Sequence, residues 1–338
     1  MVTNTHRVLT GITTSGIPHL GNLVGAVLPS IKASKSKNTS TFLFLADYHS
    51  LIKNNDPVLT HNSSLEIAAC WLACGLDPSK VVFYRQSDIE HIFELAWILS
   101  CFTPKGLLNR AHAYKAAIQE NEKRGSKDID KGTNMGLFNY PILMAADILM
   151  FQADIVPVGN DQKQHIEMTR DIAIRFNNSY GNLLTIPEAK IDKKTGILPG
   201  TDGQKMSKSY NNVIPIFTSG NELNKIIRSI KTNSLMPGQP KDYNNCNIFN
   251  IYKAFASEEE IKNFKRRYKD GISWGDAKDT LYEDLSKFLQ PFQFEYKKIC
   301  NEKAYIEETL IKGSKKAKEV SLPLIAKIRK SLGIRGFS

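Results

Sequence analysis

The chain has 338 residues, which is enough for one large α/β domain and a smaller second domain, but too many for a single small module. Its 45 Lys and Arg residues outnumber its 34 Asp and Glu residues, and the resulting formal net charge of +11 favours a polyanionic partner such as RNA. No cationic leader with an apolar core opens the chain, and its longest apolar runs, such as residues 42–46, are far too short to span a bilayer. We therefore expect a cytoplasmic protein that has no membrane partner.

Short β-branched or aromatic runs alternate with amphipathic segments along the first half of the chain. The predicted strands are residues 7–12, 41–46, 81–84 and 155–158, and the predicted helices lie near residues 20–35, 60–75 and 161–176. This alternation indicates βαβ units, and therefore an α/β fold with a doubly wound parallel sheet. Ligands of such sheets bind past the carboxyl ends of the strands. The candidate site segments are thus residues 13–22, 47–49, 86–88 and 159–162.

A helical insertion of roughly seventy residues separates the third and fourth predicted strands, where about 4–6 residues are typical. It is rich in apolar side chains, and we expect a dimer interface around residues 87–150. Residues 119–134 are charged and contain glycine, which predicts a mobile loop within the insertion. Helical patterns replace strands after about residue 210, and lysines crowd the last quarter of the chain. Any single lysine is most simply a solvated surface residue, but a basic helical region after a nucleotide-binding sheet favours RNA docking.

Two short motifs carry the strongest chemical signal. Residues 15–22 read Ser-Gly-Ile-Pro-His-Leu-Gly-Asn and connect the first predicted strand to a helix, which places the free N–H groups of a helix N-terminus where an anion can bind. Residues 205–209 read Lys-Met-Ser-Lys-Ser and follow a glycine-rich segment, so two ammonium groups lie three residues apart on an expected mobile loop. Together the two motifs predict a site for a triphosphate, although either one alone would be weak evidence.

In this order, with a parallel-sheet pattern between them, the two motifs resemble the signature motifs of class I aminoacyl-tRNA synthetases. The resemblance implies that Lys205, Lys208, His19 and Asn22 are catalytic. It implies ATP with phosphate-bound Mg²⁺ as the cofactor and no dedicated protein metal site. The residues expected to bind ATP are Thr13, Thr14, Ser15, His19, Gly21, Asn22, Lys115, Gly159, Asp161, Gln162, Lys205, Met206, Ser207, Lys208 and Ser209.

The segment that begins at Tyr140 indicates which amino acid is activated. Pro141 is expected in the first turn of a helix, and Tyr140, Met144 and Asp147 then share one face at positions i, i+4 and i+7. An isolated Asp at the end of an apolar face is more often a cap or a salt-bridge partner. A buried carboxylate does, however, need a hydrogen-bond donor, and an indole N–H is such a donor.

The run from Tyr140 to His165 closely resembles the tryptophan-binding segment of bacterial tryptophanyl-tRNA synthetases. By this resemblance Asp147 accepts the indole hydrogen bond, and the ring lies between apolar walls. The residues expected to bind tryptophan are Tyr140, Met144, Asp147, Ile148, Val156, Val158, Gln162 and His49. His165 and Arg170 are interpreted as mostly structural. One departure from the family is Thr13-Thr14, where many relatives carry Gln-Pro or Arg-Pro.

The resemblance extends over essentially the whole chain. It implies a Rossmann-like catalytic domain over residues 1–210, a helical anticodon-binding domain over residues 211–305, and a helical tail over residues 306–338 that packs back on the catalytic domain. The implied enzyme is a homodimeric ligase that activates L-tryptophan with ATP and transfers it to the 3′-terminal adenosine of tRNA(Trp). Two alternatives stay open: a tyrosyl-tRNA synthetase of the same class, and a regulatory paralogue that binds tryptophan or RNA without aminoacylation.

Overall fold

A parallel sheet forms the centre of the protein. The computed structural model describes residues 6–14, 16, 18–36, 38–191 and 198–334. The strands are β1 (His6–Thr13), β2 (Thr39–Ala46), β3 (Val81–Arg85), β4 (Ile155–Val158) and β5 (Glu188–Ile191), in the spatial order β3-β2-β1-β4-β5. This is the predicted Rossmann-like arrangement. Because β4 adds to the opposite side of β1 from β2, the strand order reverses between β1 and β4, and such a reversal marks the expected ligand crevice at the carboxyl ends of these strands.

The central strand β2 shows why the sheet is covered on both faces. Its residues 41–46 are all buried, as expected for a strand of a parallel sheet that lies between two helical layers. Leu43 and Leu45 point into one apolar cluster, while Phe42 and Phe44 point into another on the opposite face. The two clusters are the cores of the two helical layers.

The first strands are connected by helices that begin at recognisable sequence signals. They are α1 (Leu20–Asn22), a π turn (Leu23–Val27), α2 (Leu28–Ser34), α3 (Asp47–Ser50) and α4 (Pro57–Ala73). Helix α4 begins where Asp56 accepts hydrogen bonds from the backbone N–H groups of Val58 and Leu59, at 2.8 and 3.1 Å. Pro57 occupies its first position, where a missing N–H group has no cost.

The insertion between β3 and β4 consists of α5 (His91–Phe102), α6 (Lys105–Leu108), α7 (His112–Lys123) and α8 (Met135–Met150), and α9 (Lys163–Tyr180) follows β4. The loop predicted from residue 119 begins later, because α7 continues through Lys123. The turns that follow are tied down by Asn121, whose side-chain amide donates to the carbonyl oxygens of Ile129 and Lys131 at 2.8 and 2.9 Å.

The second half of the chain is helical, as predicted. Its first helices are α10 (Gly220–Arg228), α11 (Asn247–Tyr252), α12 (Glu258–Lys269) and α13 (Trp274–Cys300). Their buried side chains, such as Phe249 and Leu285, belong to the same apolar cluster as Leu20 and Leu43. The core therefore continues from the sheet into the helical region, without a gap at residue 210.

The last helix, α14 (Lys303–Ser331), covers the edge strand β3. A Cβ atom added at Gly313 would lie 1.6 Å from the carbonyl oxygen of Phe83, so only glycine permits this close approach of helix to strand. Ion pairs join α14 to the insertion: Lys318 Nζ lies 2.9 Å from Glu90 Oε2, and Arg329 pairs with Glu94. The helix thereby covers an edge that would otherwise be open to another chain.

Candidate active site

The two sequence motifs meet at the carboxyl end of β1. A Cβ atom at Gly16 would lie 3.5 Å from Nζ of Lys208, and one at Gly21 would lie 3.7 Å from Sδ of Met206. The backbone continues this contact, since the N–H group of Leu20 donates to the carbonyl oxygen of Ile214 at 2.9 Å. Nearly two hundred residues of chain separate the motifs, yet they lie against each other beside the crevice.

His19 links the first motif to the start of α1. Its Nδ1 accepts a hydrogen bond from the backbone N–H of Asn22 at 3.3 Å, and the Asn22 side-chain oxygen accepts from the N–H of His19 at 3.1 Å. Burial, and secondarily the Lys208 ammonium group, lowers the pKa of His19 to about 4. The ring is therefore neutral at pH 7. Because Nδ1 is an acceptor, the ring proton lies on Nε2, which makes Nε2 a hydrogen-bond donor.

The lysine motif is held in its turn by Asn212, which the sequence does not mark as a site residue. The Asn212 side-chain amide donates to Asp202 Oδ1 at 2.7 Å and to the carbonyl oxygen of Lys205 at 3.1 Å, and its oxygen accepts from the N–H of Ser207 at 2.8 Å. Gly200 makes room for this side chain, since a Cβ atom there would lie 2.3 Å from Asn212 Cγ. One buried amide thus fixes the geometry from which both lysines extend.

Other residues predicted to bind ATP differ in their accessibility. Thr14 is buried, and its hydroxyl group has no hydrogen-bond partner among the described residues. Thr13, Lys115 and Gln162 are exposed. Gly159 leads from β4 into the turn Asn160–Gln162, which places the turn at the crevice. Ser15 lies outside the described residues, and for Asp161 and Ser209 only the backbone is described.

Helix α8 contributes the predicted specificity face. The expectation that Pro141 lies in the first helical turn is wrong, because α8 begins at Met135 with Asn134 as its cap. The predicted face is nevertheless present: Tyr140 and Met144 are partly buried, and Asp147 has no exposed surface. Ile148 and Val156 are buried in the adjacent core, and Val158 packs against it. A cavity of about 300 Å³ opens beside Tyr140, between α3 and α8.

Two side chains from other elements hold the Asp147 carboxylate. His49 of α3 places Nε2 2.9 Å from Oδ2, and Gln86, directly after β3, places Nε2 2.7 Å from Oδ1 and 3.0 Å from Oδ2. Complete burial raises the pKa of Asp147, and the hydrogen bonds from His49 and Gln86 oppose this rise. Gln86 is a functional candidate that residue-by-residue reading missed, although it lies in a segment that the sequence places past a strand end.

Tyr140 has a partner that the sequence assigned to structure. Its hydroxyl group lies 2.5 Å from Nε2 of His165 on α9, and the two rings pack edge to face. Arg170 on the same helix donates to the carbonyl oxygen of Pro187 at 2.6 Å and so fastens the segment before β5. His165 therefore belongs to the tyrosine's surroundings, whereas Arg170 has a structural contact.

In the part of the chain that the structure describes, no group of three or more His, Cys, Asp or Glu side chains could hold a metal ion. Among the same residues, no helix is both long enough and apolar enough to cross a membrane.

The family model described as tRNA synthetases class I (W and Y) matches residues 2–290. The chain therefore belongs to the class I tRNA synthetases of the tryptophan and tyrosine branch. Among its relatives, a tryptophan–tRNA ligase of Neisseria meningitidis is 50% identical over 329 residues, which cover 97% of this chain and 98% of that protein. A tryptophan–tRNA ligase of Xanthomonas campestris is 53% identical over 336 residues, or 99% of this chain and 78% of that protein.

Solved structures agree with this placement. The crystal structure of tryptophanyl-tRNA synthetase from Campylobacter jejuni, complexed with ADP and tryptophan, is 42% identical and superimposes with a TM-score of 0.86, covering 97% of this chain and 99% of that one. A tyrosyl-tRNA synthetase from Archaeoglobus fulgidus is 19% identical with a TM-score of 0.64, a likeness that concerns the fold alone.

Proposed function

We propose that this protein is a tryptophan–tRNA ligase. It activates L-tryptophan with ATP to form tryptophanyl-adenylate and pyrophosphate, and it transfers tryptophan to the 3′-terminal adenosine of tRNA(Trp). The observation that carries the proposal is the fully buried Asp147 on α8, which is held by His49 and Gln86 just past the carboxyl ends of β2 and β3, the same edge of the sheet at which the first motif follows β1. The full-length relatives at 50% identity and above support the same substrate.

Adenylate formation requires charge stabilisation more than covalent chemistry by the protein. The tryptophan carboxylate attacks the α-phosphate, and negative charge grows on the departing pyrophosphate. Lys205 and Lys208 supply ammonium groups to that charge, which stabilises the transition state more than the ground state. The neutral His19 and Asn22 contribute hydrogen bonds to phosphate oxygens, while Gly21 lets the nucleotide approach bare backbone.

Mg²⁺ enters this site with its substrate. In this proposal the cation is carried by the ATP phosphates. Bound there, it would neutralise phosphate charge and orient the chain of phosphates for attack. Thr13, Thr14, Lys115, Gly159, Asp161, Gln162 and the rest of the lysine motif line the nucleotide in this proposal.

Tryptophan selection follows from the environment of Asp147. The indole N–H donates to its carboxylate, and Met144, Ile148, Val156 and Val158 bound the ring. Tyr140 and Gln162 contact the ammonium and carboxylate end of the amino acid, and His49 closes the pocket. When phenylalanine enters, the buried carboxylate receives no hydrogen bond, and a site of this kind rejects such an analogue by as much as ~10⁴–10⁵-fold. Tyrosine carries a phenol, which is a poor match for a carboxylate placed to meet an indole nitrogen.

The proposed function also includes tRNA binding and dimerisation. The basic helices over residues 211–305 bind the anticodon region of tRNA(Trp), and residues 306–338 form a tail on the catalytic domain of residues 1–210. The protein acts as a homodimer through the insertion around residues 87–150, where Trp97 on α5 is 73% exposed. Since the product feeds protein synthesis, the site of action is the cytoplasm.

Pyrophosphate exchange tests the substrate directly. The assay measures incorporation of labelled pyrophosphate into ATP, with tryptophan, tyrosine or phenylalanine as the amino acid. We expect exchange with tryptophan only. Preferential exchange with tyrosine would replace the proposal by the tyrosine alternative, and absence of charged tRNA(Trp) in a filter assay would favour a regulatory protein.

A further inference from the structure

Gln86 connects the Asp147 carboxylate to the backbone of a different element. The side chain of Gln86 has no exposed surface. Its Nε2 lies 2.7 and 3.0 Å from the two carboxylate oxygens of Asp147, and its Oε1 accepts a hydrogen bond from the backbone N–H of Tyr48 at 3.2 Å. The amide therefore bridges helix α8 and the start of helix α3.

The orientation of this amide is determined by its two neighbours. The backbone N–H of Tyr48 can only donate, so the amide oxygen of Gln86 must face it, and the NH₂ group must face Asp147. The position of Tyr48 is fixed in turn by Asp47, whose carboxylate accepts from the N–H of Tyr48 at 3.1 Å and from the N–H and hydroxyl groups of Ser87 at 3.1 and 2.5 Å. These bonds tie the ends of β2 and β3 together around Gln86.

The hydrogen bonds from His49 and Gln86 leave one acceptor position of the Asp147 carboxylate unused. A carboxylate offers about four lone-pair sites. In Asp147, Oδ2 receives His49 and Gln86, whereas Oδ1 receives only Gln86. The one site that these contacts leave lies on Oδ1.

We propose that Gln86 is a positioning residue for amino-acid selection, because it fixes the Asp147 carboxylate so that Oδ1 presents its remaining lone pair to the indole N–H. This inference rests on the proposed function. Gln86 itself contacts no substrate in this account. It acts by preventing rotation of the carboxylate and by compensating its buried charge.

The test compares two ligands that differ mainly in the N–H group: L-tryptophan and β-(3-benzothienyl)-L-alanine, which has sulfur in place of the indole nitrogen. Dissociation constants are measured by equilibrium dialysis for the wild type and for Gln86→Met, which keeps the length of the side chain and removes the amide. A hydrogen bond to a charged acceptor predicts a wild-type preference for tryptophan of roughly 10- to 100-fold. In Gln86→Met we expect this ratio to fall below about threefold, because a misaligned carboxylate gives the N–H little advantage.

Gln293→Met is the matched control. Gln293 also donates through its amide to two groups, the carbonyl oxygens of Ile216 and Thr218, each at 3.0 Å, but it lies in α13. It should retain the wild-type ratio. A purely structural role of Gln86 would weaken the binding of both ligands equally, leave the ratio unchanged, and overturn the inference. A wild type that binds both ligands equally would instead overturn the proposed function, and the inference with it.

If Gln86→Met does not fold, Gln86→Glu tests the positioning role of Gln86 instead. A glutamic acid donates to Asp147 only when it is protonated, so the preference for tryptophan should be lost at neutral pH and should recover as the pH is lowered. The other titratable groups that face Asp147 are His49, Asp47 and Tyr84, and the wild type measured at each pH accounts for them. A ratio that matches the wild type at every pH would overturn the inference.

Discussion

Replacing Lys208 by alanine separates transition-state stabilisation from substrate binding. The Lys208 ammonium group lies 3.5 Å from the Cβ position of Gly16 and lowers the pKa of His19, so it faces the first motif. A unit charge ~4 Å from an anionic oxygen contributes on the order of 4 kcal/mol at an effective dielectric constant of about 20. Loss of one such group at a developing anion typically slows kcat by ~10²–10³-fold. We expect a decrease of this size in the rate of adenylate formation by Lys208→Ala.

Tryptophan-dependent pyrophosphate exchange measures that rate, and equilibrium dialysis measures the affinity for tryptophan, which should change by less than about threefold because Lys208 acts on phosphate. Lys80→Ala is the control, since Lys80 is exposed, pairs with Asp77 at 2.8 Å and precedes β3, away from the crevice. Equal losses of rate and tryptophan affinity in Lys208→Ala, or no loss of rate, would refute the transition-state role.

Three further predictions concern Asp147, His19 and Gly313. Burial raises the pKa of Asp147, so the folded chain loses stability as the pH rises through that pKa and the carboxyl group ionises. Asp147→Asn should therefore melt at a higher temperature at neutral pH, while its Kd for tryptophan rises ~10- to 100-fold. Unchanged tryptophan affinity would remove Asp147 from the pocket. The pKa of His19 is lowered from 6.5 to about 4, so between these pH values only the unfolded chain binds the proton, and the stability of the fold falls as the pH drops. In melts followed by circular dichroism, His19→Asn should lose less stability than the wild type over this pH range. An equal loss would contradict the lowered pKa of His19. Gly313→Ala should lower the free energy of unfolding in denaturant by about 1–3 kcal/mol, because the added Cβ meets the Phe83 carbonyl oxygen. Gly106→Ala is the control and should be neutral or stabilising, because its Cβ meets nothing within 4 Å. Equal stabilities of the two variants would mean that α14 does not pack on β3 as described.

The strands could be predicted to different extents, for physical reasons. Strands β1 to β4 carry apolar residues because helices cover both faces of the sheet and α14 covers the edge strand β3, and their positions follow from those residues. Strand β5 is not predicted because two of its four residues, Glu188 and Lys190, are charged and exposed, which leaves it without an apolar run. The start of α8 also differs from the prediction, because Pro141 is typical of a first helical turn but is the seventh residue of this helix.

Within the site, contiguous motifs were predictable and contacts across the fold were not. Residues 15–22 and 205–209 each carry their chemistry in a short segment. The partner of Gln86 is 61 residues away in the chain, that of His165 is 25 residues away, and those of Asn212 are 5 to 10 residues away. No local pattern distinguishes these three residues from ordinary polar residues. The only available signal for Gln86 was its place just past a strand end in a parallel sheet.

We propose that two distant motifs bind one nucleotide beside a slot that ends in Asp147. A crystal structure with tryptophan and a non-hydrolysable ATP analogue tests it most directly. We predict the indole nitrogen at ~2.8–3.2 Å from Asp147 Oδ1, with the β- and γ-phosphates between the Lys205 and Lys208 ammonium groups and the first motif. Phosphates bound away from either motif, or an indole nitrogen turned from Asp147, would contradict the account.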